Sequence, residues 1–272
     1  MASSSSSEPE SHPFPLAPPP WNGMKATGYL FLTHSSASTP LPPGSYDPLE
    51  ADSPFASAET GTFTGGFGSV TILRYKDSPV GPYDELFFIP GYFSLPPSVG
   101  GGSKLRITRI YVSSAASTYN GRRNWGIAKK VARFRFVGDE DGGMCSRVEL
   151  REAGDGDDAK PFFAVDLKPA VWGVTMPLST AFSPIDLAVV HPPLPRGAEV
   201  ERTASDKWYG VNPYVRGTGG GAWAKGALGD GEWADGVAFP KVQPVRLGVW
   251  WKDATIDFSE GEVLGEENRK DI

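Results

Sequence analysis

Residues Ile107–Phe136 read ITRIYVSSAASTYNGRRNWGIAKKVARFRF, and the fold turns on them. Leu105–Val112, which overlaps the start, is β-branched and interleaved with arginines, as strands often are. Ser113–Trp125 is the best helix candidate in the chain, with Ser113 or Ser114 as N-cap and Gly126 ending it. Val131–Val137 then sets Ala132, Phe134 and Phe136 against Val131, Arg133 and Arg135, the period of two that marks a strand.

Further strand signals lie on both sides of this stretch. Upstream are Tyr29–Leu32, Ser69–Tyr75 and Glu85–Ile89, the last ending at the turn Pro90-Gly91. Downstream are Ser146–Arg151, Phe162–Leu167, Trp172–Pro177, Val245–Trp250 and Thr255–Phe258. Their spacing predicts a largely antiparallel β protein with few, short helices. The 33 glycines and 26 prolines agree, because these are the two poorest helix formers. Residues 1–20 are Ser- and Pro-rich and predict a disordered, dispensable arm, leaving 21–272 as one domain. Residues 35–66 read as a long surface excursion.

Composition closes several routes. A net charge of −6 does not suit a nucleic-acid binder, whose affinity rests on cationic contacts to phosphate. No apolar run is long enough for a membrane span, and the N-terminus has no basic or apolar leader region, so the expected location is cytoplasmic. A single cysteine, Cys145, and three scattered histidines leave no metal motif. Gly217–Gly221 is not a phosphate loop, since the chain has no Gly-Lys dipeptide. The acidic turns Asp139–Gly142 and Asp155–Asp158 read as hairpin caps. Trp250-Trp251 reads as core. Charge is uneven, however: nine basic residues and no acidic one fall between Ser103 and Phe136. They either decorate solvent faces of strands or build a positive site for a small anion.

The pair Lys129-Lys130 is the chemically suggestive feature. Trp125 and Ile127 precede it, and Val131 and Ala132 follow. Neighbouring strand residues face opposite ways, so only one lysine need enter the core. Burial and a neighbouring ammonium both disfavour a charged lysine, and a neutral amine can attack a carbonyl to form a Schiff base. A Lys-Lys pair is also a common solvated turn, and spacing alone leaves both readings open.

Val80–Gly91 (VGPYDELFFIPG) together with Ile107–Phe136 resembles the acetoacetate decarboxylase superfamily, most closely its longer fungal members. The resemblance runs over roughly residues 68–137 and implies a β-rich α+β fold on a closed or nearly closed antiparallel barrel. It implies Lys129 as the Schiff-base lysine, Lys130 as the neighbour that lowers its pKa, and Glu85 as an acid that orders the site. The family's second acid falls near Val70 and its N-terminal arginine near Thr27, so Arg122 or Arg123 becomes the candidate anchor for a substrate carboxylate. The implied activity is decarboxylation of a small β-keto acid by a homo-oligomer without metal or organic cofactor. Aldol or dehydration chemistry through the same imine is one alternative. A barrel that binds a small anionic or apolar ligand without catalysis is another.

Overall fold

The computed structural model describes residues 12–51, 54–56, 61–138, 143–170 and 174–265. The first part of the chain forms β1 (Trp21–Ser35), a single turn α1 (Pro48–Ala51), β2 (Phe63–Asp77), β3 (Tyr83–Ile89), β4 (Tyr92–Ser94), β5 (Ser103–Leu105) and β6 (Arg109–Val112). Then come α2 (Ala115–Trp125), β7 (Lys129–Val137), β8 (Arg147–Glu152), β9 (Phe163–Pro169) and β10 (Met176–Ser179). The last strands are β11 (Val189–His191), β12 (Trp208–Val211), β13 (Pro213–Gly226), β14 (Leu247–Phe258) and β15 (Glu262–Leu264).

Nine strands close on themselves in the order β1-β14-β13-β9-β8-β7-β6-β3-β2, and β2 pairs back onto β1. The ring is therefore a barrel without free edges. Eight of its pairings are antiparallel, as expected; β6 and β7 run parallel. Parallel neighbours need a crossover, and α2 supplies it between Val112 and Lys129. A smaller sheet of β4, β5, β11, β12 and β15 joins the barrel through the first residues of β2.

Both faces of β2 are covered over Ser69–Leu73, and the alternation of the sequence sorts its residues between them. Val70 and Ile72 join a core that includes Phe31, Leu86, Phe88, Tyr111, Phe163 and Trp233. Leu73 and Tyr75 face the other way, toward Trp21, Tyr83, Ile110, Trp125 and Ile256. α2 ends as its sequence predicts: the Ser114 side chain accepts from the Ser117 amide, and Gly126 takes the left-handed conformation at φ 61°.

Several segments differ from expectation. Leu105–Val112 splits into β5 and β6 because Arg106 and Arg109 are drawn inward rather than toward solvent. Arg106 pairs with Glu50 at 2.7 Å and Arg109 with Asp47 at 3.5 Å, all four buried. Val245–Trp250 and Thr255–Phe258 are parts of one strand, β14. Gly217–Gly221 forms the middle of β13. Trp172 and Asp139–Gly142 lie outside the described residues, as do residues 1–11. Residues 12–20 pack along α2: Asn120 Oδ1 accepts from the Ala17 amide at 2.8 Å, and the Asn124 amide donates to the Ala17 carbonyl at 2.8 Å.

Candidate functional site

Lys129 opens β7, and its register fixes its surroundings. Ile110 of β6 lies beside Lys129, and Val112, two residues on, lies beside Glu85 of β3. Lys129 and Glu85 therefore project from one face of the barrel wall with β6 between them. Lys129 Nζ donates to Glu85 Oε2 at 2.7 Å and to Ser117 Oγ of α2 at 3.2 Å. It also lies 5.2 Å from the centre of the Tyr83 ring, which stacks on Tyr75 at 4.5 Å. The side chains of Lys129 and Glu85 are 5% and 4% exposed, so this is an ion pair removed from water.

Gly121 makes room for the lysine. A Cβ there would stand 2.8 Å from both Cδ and Cε of Lys129, so any larger residue on this turn of α2 presses on its stem.

The electrostatics differ from the sequence expectation. Burial is the largest influence on Lys129 and pulls its pKa down, but Glu85 and Tyr83 together outweigh it, and the amine is held above the ordinary lysine value. Burial also raises Tyr83, to about 12, although the neighbouring ammonium acts against it. Tyr75 is raised by burial and then by the Glu85 charge. In the resting site the proton therefore sits on the lysine. Lys130 contributes little here: it points to the opposite face, toward Glu152 at 3.8 Å.

Lys129 and Glu85 lie in the wall of an apolar cavity of about 200 Å³. Its lining includes Leu30, Leu32, Leu73, Phe87, Ile89, Ile110, Trp251 and Ile256, with Ser69 and Thr71 among the few polar groups. Lys129 is the one cation among the lining residues. Arg122 is fully buried elsewhere, donating through Nη2 to the Pro195 carbonyl at 2.8 Å and through Nε to the Thr203 carbonyl at 3.3 Å. Arg123 is exposed. The structure thus brings Lys129 and Glu85 together and leaves Lys130, Arg122 and Arg123 outside the cavity. Sequence reasoning missed Ser117, Gly121, Tyr75, Tyr83 and the apolar wall. The alternation of Ser69, Thr71, Leu73 and Tyr75 along β2 is the signal that marks the wall's face. Among the described residues no group of three His, Cys, Asp or Glu side chains could hold a metal ion. Among the described residues no helix is long and apolar enough to cross a membrane.

No family model matches the chain. Two plant proteins, both called Protein NEOXANTHIN-DEFICIENT 1, are similar to part of it. The rice protein is 37% identical over 67 residues, 25% of this chain and 21% of its own length. The Arabidopsis thaliana protein is 30% identical over 119 residues, 43% and 37% respectively, so the chain spans well under half of either relative. Solved structures are similar over nearly the whole chain. Acetoacetate decarboxylase from Legionella pneumophila aligns with 96% of this chain and 92% of its own, at TM-score 0.56 and 14% identity. Another acetoacetate decarboxylase structure covers 92% and 91% at TM-score 0.53 and 13% identity. An acetoacetate decarboxylase-like enzyme from Sphingomonas wittichii covers 94% and 97% at TM-score 0.53 and 12% identity. The likeness over nearly the whole of each chain gives this chain the acetoacetate decarboxylase-like fold.

Proposed function

We propose that the protein binds a predominantly apolar carbonyl compound and condenses it with Lys129, a protonated imine being the reactive species. The observation that carries this reading is a buried amine, held by Glu85 and Ser117, in the wall of an otherwise apolar cavity. A buried ion pair has lost most of its hydration, which narrows the gap to the neutral amine–carboxylic acid pair. A ligand that displaces the remaining water favours passage of the proton from Lys129 to Glu85. The free amine then adds to the carbonyl carbon. Glu85 returns the proton to the departing oxygen, water leaves, and the positive charge of the ammonium ends on the imine. Where the carbon next to the carbonyl carbon carries a carboxylate, its carbon–carbon bond breaks, carbon dioxide departs and the iminium accepts the released electron pair as an enamine, which a proton then returns to the imine for hydrolysis. That outcome is the lysine-dependent decarboxylation of a β-keto acid.

The cavity favours an apolar ligand over acetoacetate itself, because Arg122 and Arg123 lie outside it and, among the described residues, its lining holds no cation besides Lys129. An apolar cavity with one polar station accords with oxygenated apolar ligands as a class. The resting ion pair favours a second reading, in which the same ligand is held by hydrogen bonds to Lys129 without a covalent step.

Borohydride reduction in the presence of a ketone or β-keto acid separates the two. An adduct mapped to Lys129, lost in Lys129→Arg, is expected. Carbon dioxide release from the keto acid would make the protein a decarboxylase. Ligand-induced thermal stabilisation with no adduct would select the non-covalent reading.

A further inference from the structure

The cavity has a direction. Along β2 its wall is built by Phe67, Ser69, Thr71, Leu73 and Tyr75, all on one face. Their cross-strand neighbours divide it into levels. Leu32 and Ile89 flank Ser69, Leu30 and Phe87 flank Thr71, and Glu85 flanks Leu73. Lys129 is bound to Glu85, so the amine belongs to the Leu73 level. At the other end Phe67 is 59% exposed and Leu32 47% exposed, whereas Leu73 and Tyr75 are buried. From Phe67 to Leu73 the strand rises roughly 20 Å, at about 3.3 Å per residue. The cavity thus opens beside Phe67 and Leu32, with Ile185, 46% exposed, also in its lining, and its amine stands at the end of β2 away from Phe67. Its volume of about 200 Å³ exceeds the ~150 Å³ apolar cavity that takes benzene, but spread over this length it suits a narrow chain.

We infer that the ligand is a straight-chain carbonyl compound lying along β2, its carbonyl at Lys129 and its tail directed to the Leu32–Phe67 end. This rests on the Lys129 reading for the position of the carbonyl, while the preference for length and straightness rests on the channel alone. Each methylene that enters the channel leaves water, which strengthens binding about fourfold. The gain ends when the tail reaches the exposed mouth. Ser69 sits between mouth and amine, its hydroxyl 3.2 Å from that of Thr71, so a large side chain there shortens the channel.

The experiment titrates the full-length protein with straight-chain methyl ketones of increasing length and with branched and cyclic ketones of equal carbon count. Two readouts are taken: borohydride trapping and the shift in melting temperature. The half-saturating concentration is expected to fall about fourfold per methylene and then level off. Branched and cyclic isomers should lag the straight chain at least tenfold. Ser69→Phe should move the plateau to shorter chains, and the smaller Ser69→Leu should act in the same direction if the Phe variant does not fold. Absence of trapping together with a length-dependent melting shift would sink the imine and keep the channel. A melting shift indifferent to chain length, or equal binding of cyclic isomers, overturns the inference whatever happens at Lys129.

Discussion

Replacing Lys129 by methionine tests whether the ion pair at the cavity is a true buried pair. Methionine keeps the length of the stem and removes the charge. Glu85, 4% exposed, would then lose the ammonium that stands 2.7 Å from its oxygen. At an effective dielectric of about 20 the attraction across that distance is roughly 6 kcal/mol. Desolvation of both groups offsets part of it, and breaking such a pair from one side typically costs about 3–5 kcal/mol. Removing both charges, as in Lys129→Met with Glu85→Leu, leaves no orphan and should recover most of that loss. Urea unfolding of wild type, both single variants and the double variant at neutral pH gives the coupling energy directly. The pH dependence has a definite sign. The folded pKa of Lys129 is raised, so its contribution is complete below the ordinary lysine value and fades as pH rises through the folded value. Single variants that each cost less than about 1 kcal/mol, with additive effects in the double variant, would refute a desolvated pair.

Three further outcomes are expected. Gly121→Ala should press on the Lys129 stem and lower borohydride trapping about tenfold, although alanine is the better helix former by about 1 kcal/mol; greater stability with unchanged trapping would show that the contact yields freely. His191 is buried, and burial followed by the charge of Arg106 lowers its pKa to about 3. Acidification should therefore remove about 2 kcal/mol of stability between pH 6.5 and pH 5, and His191→Leu should flatten that limb of the stability–pH curve. A chain starting at Trp21 loses the hydrogen bonds that join Pro15 and Ala17 to Asn120, Asn124 and Trp21. At about 1 kcal/mol each, these bonds predict a clear drop in melting temperature by calorimetry; an unchanged value would make the arm dispensable.

Local patterns carried much of the fold. The ends of α2 were readable because capping is a short-range affair of Ser114 and Gly126. Ser69–Tyr75, Glu85–Ile89 and Val131–Val137 were readable because strands covered on one or both faces alternate or run apolar. β13 was not, because glycine is depleted in strands. The reason for glycine there is long-range: a Cβ at Gly217 would sit 1.8 Å from the carbonyl oxygen of Asp253 on β14. The docking of residues 12–20 was equally hidden. Composition reports how much apolar surface a segment can bury, but not that Asn120 and Asn124 offer partners to its backbone. The arginines of Ser103–Phe136 went both ways. Arg133 and Arg135 are on the surface side of β7, whereas Arg106 and Arg109 are neutralised by acids more than fifty positions upstream.

The Lys129-Lys130 pair shows where reading along the chain stops being enough. Two adjacent lysines invite the idea that each perturbs the other, yet adjacency in a strand places them on opposite faces of the barrel wall. Lys130 meets Glu152 near the surface, while Lys129 meets Glu85, 44 positions away in sequence and two strands away in space. The charge state of Lys129 is therefore set by the β3-β6-β7 register rather than by its neighbour. A slip of one residue between β6 and β7 would turn Lys129 toward Glu152 and put Lys130 into the apolar cavity. The residue types were legible in the sequence; the sign of the pKa shift depended on which acid the crossover through α2 brings alongside.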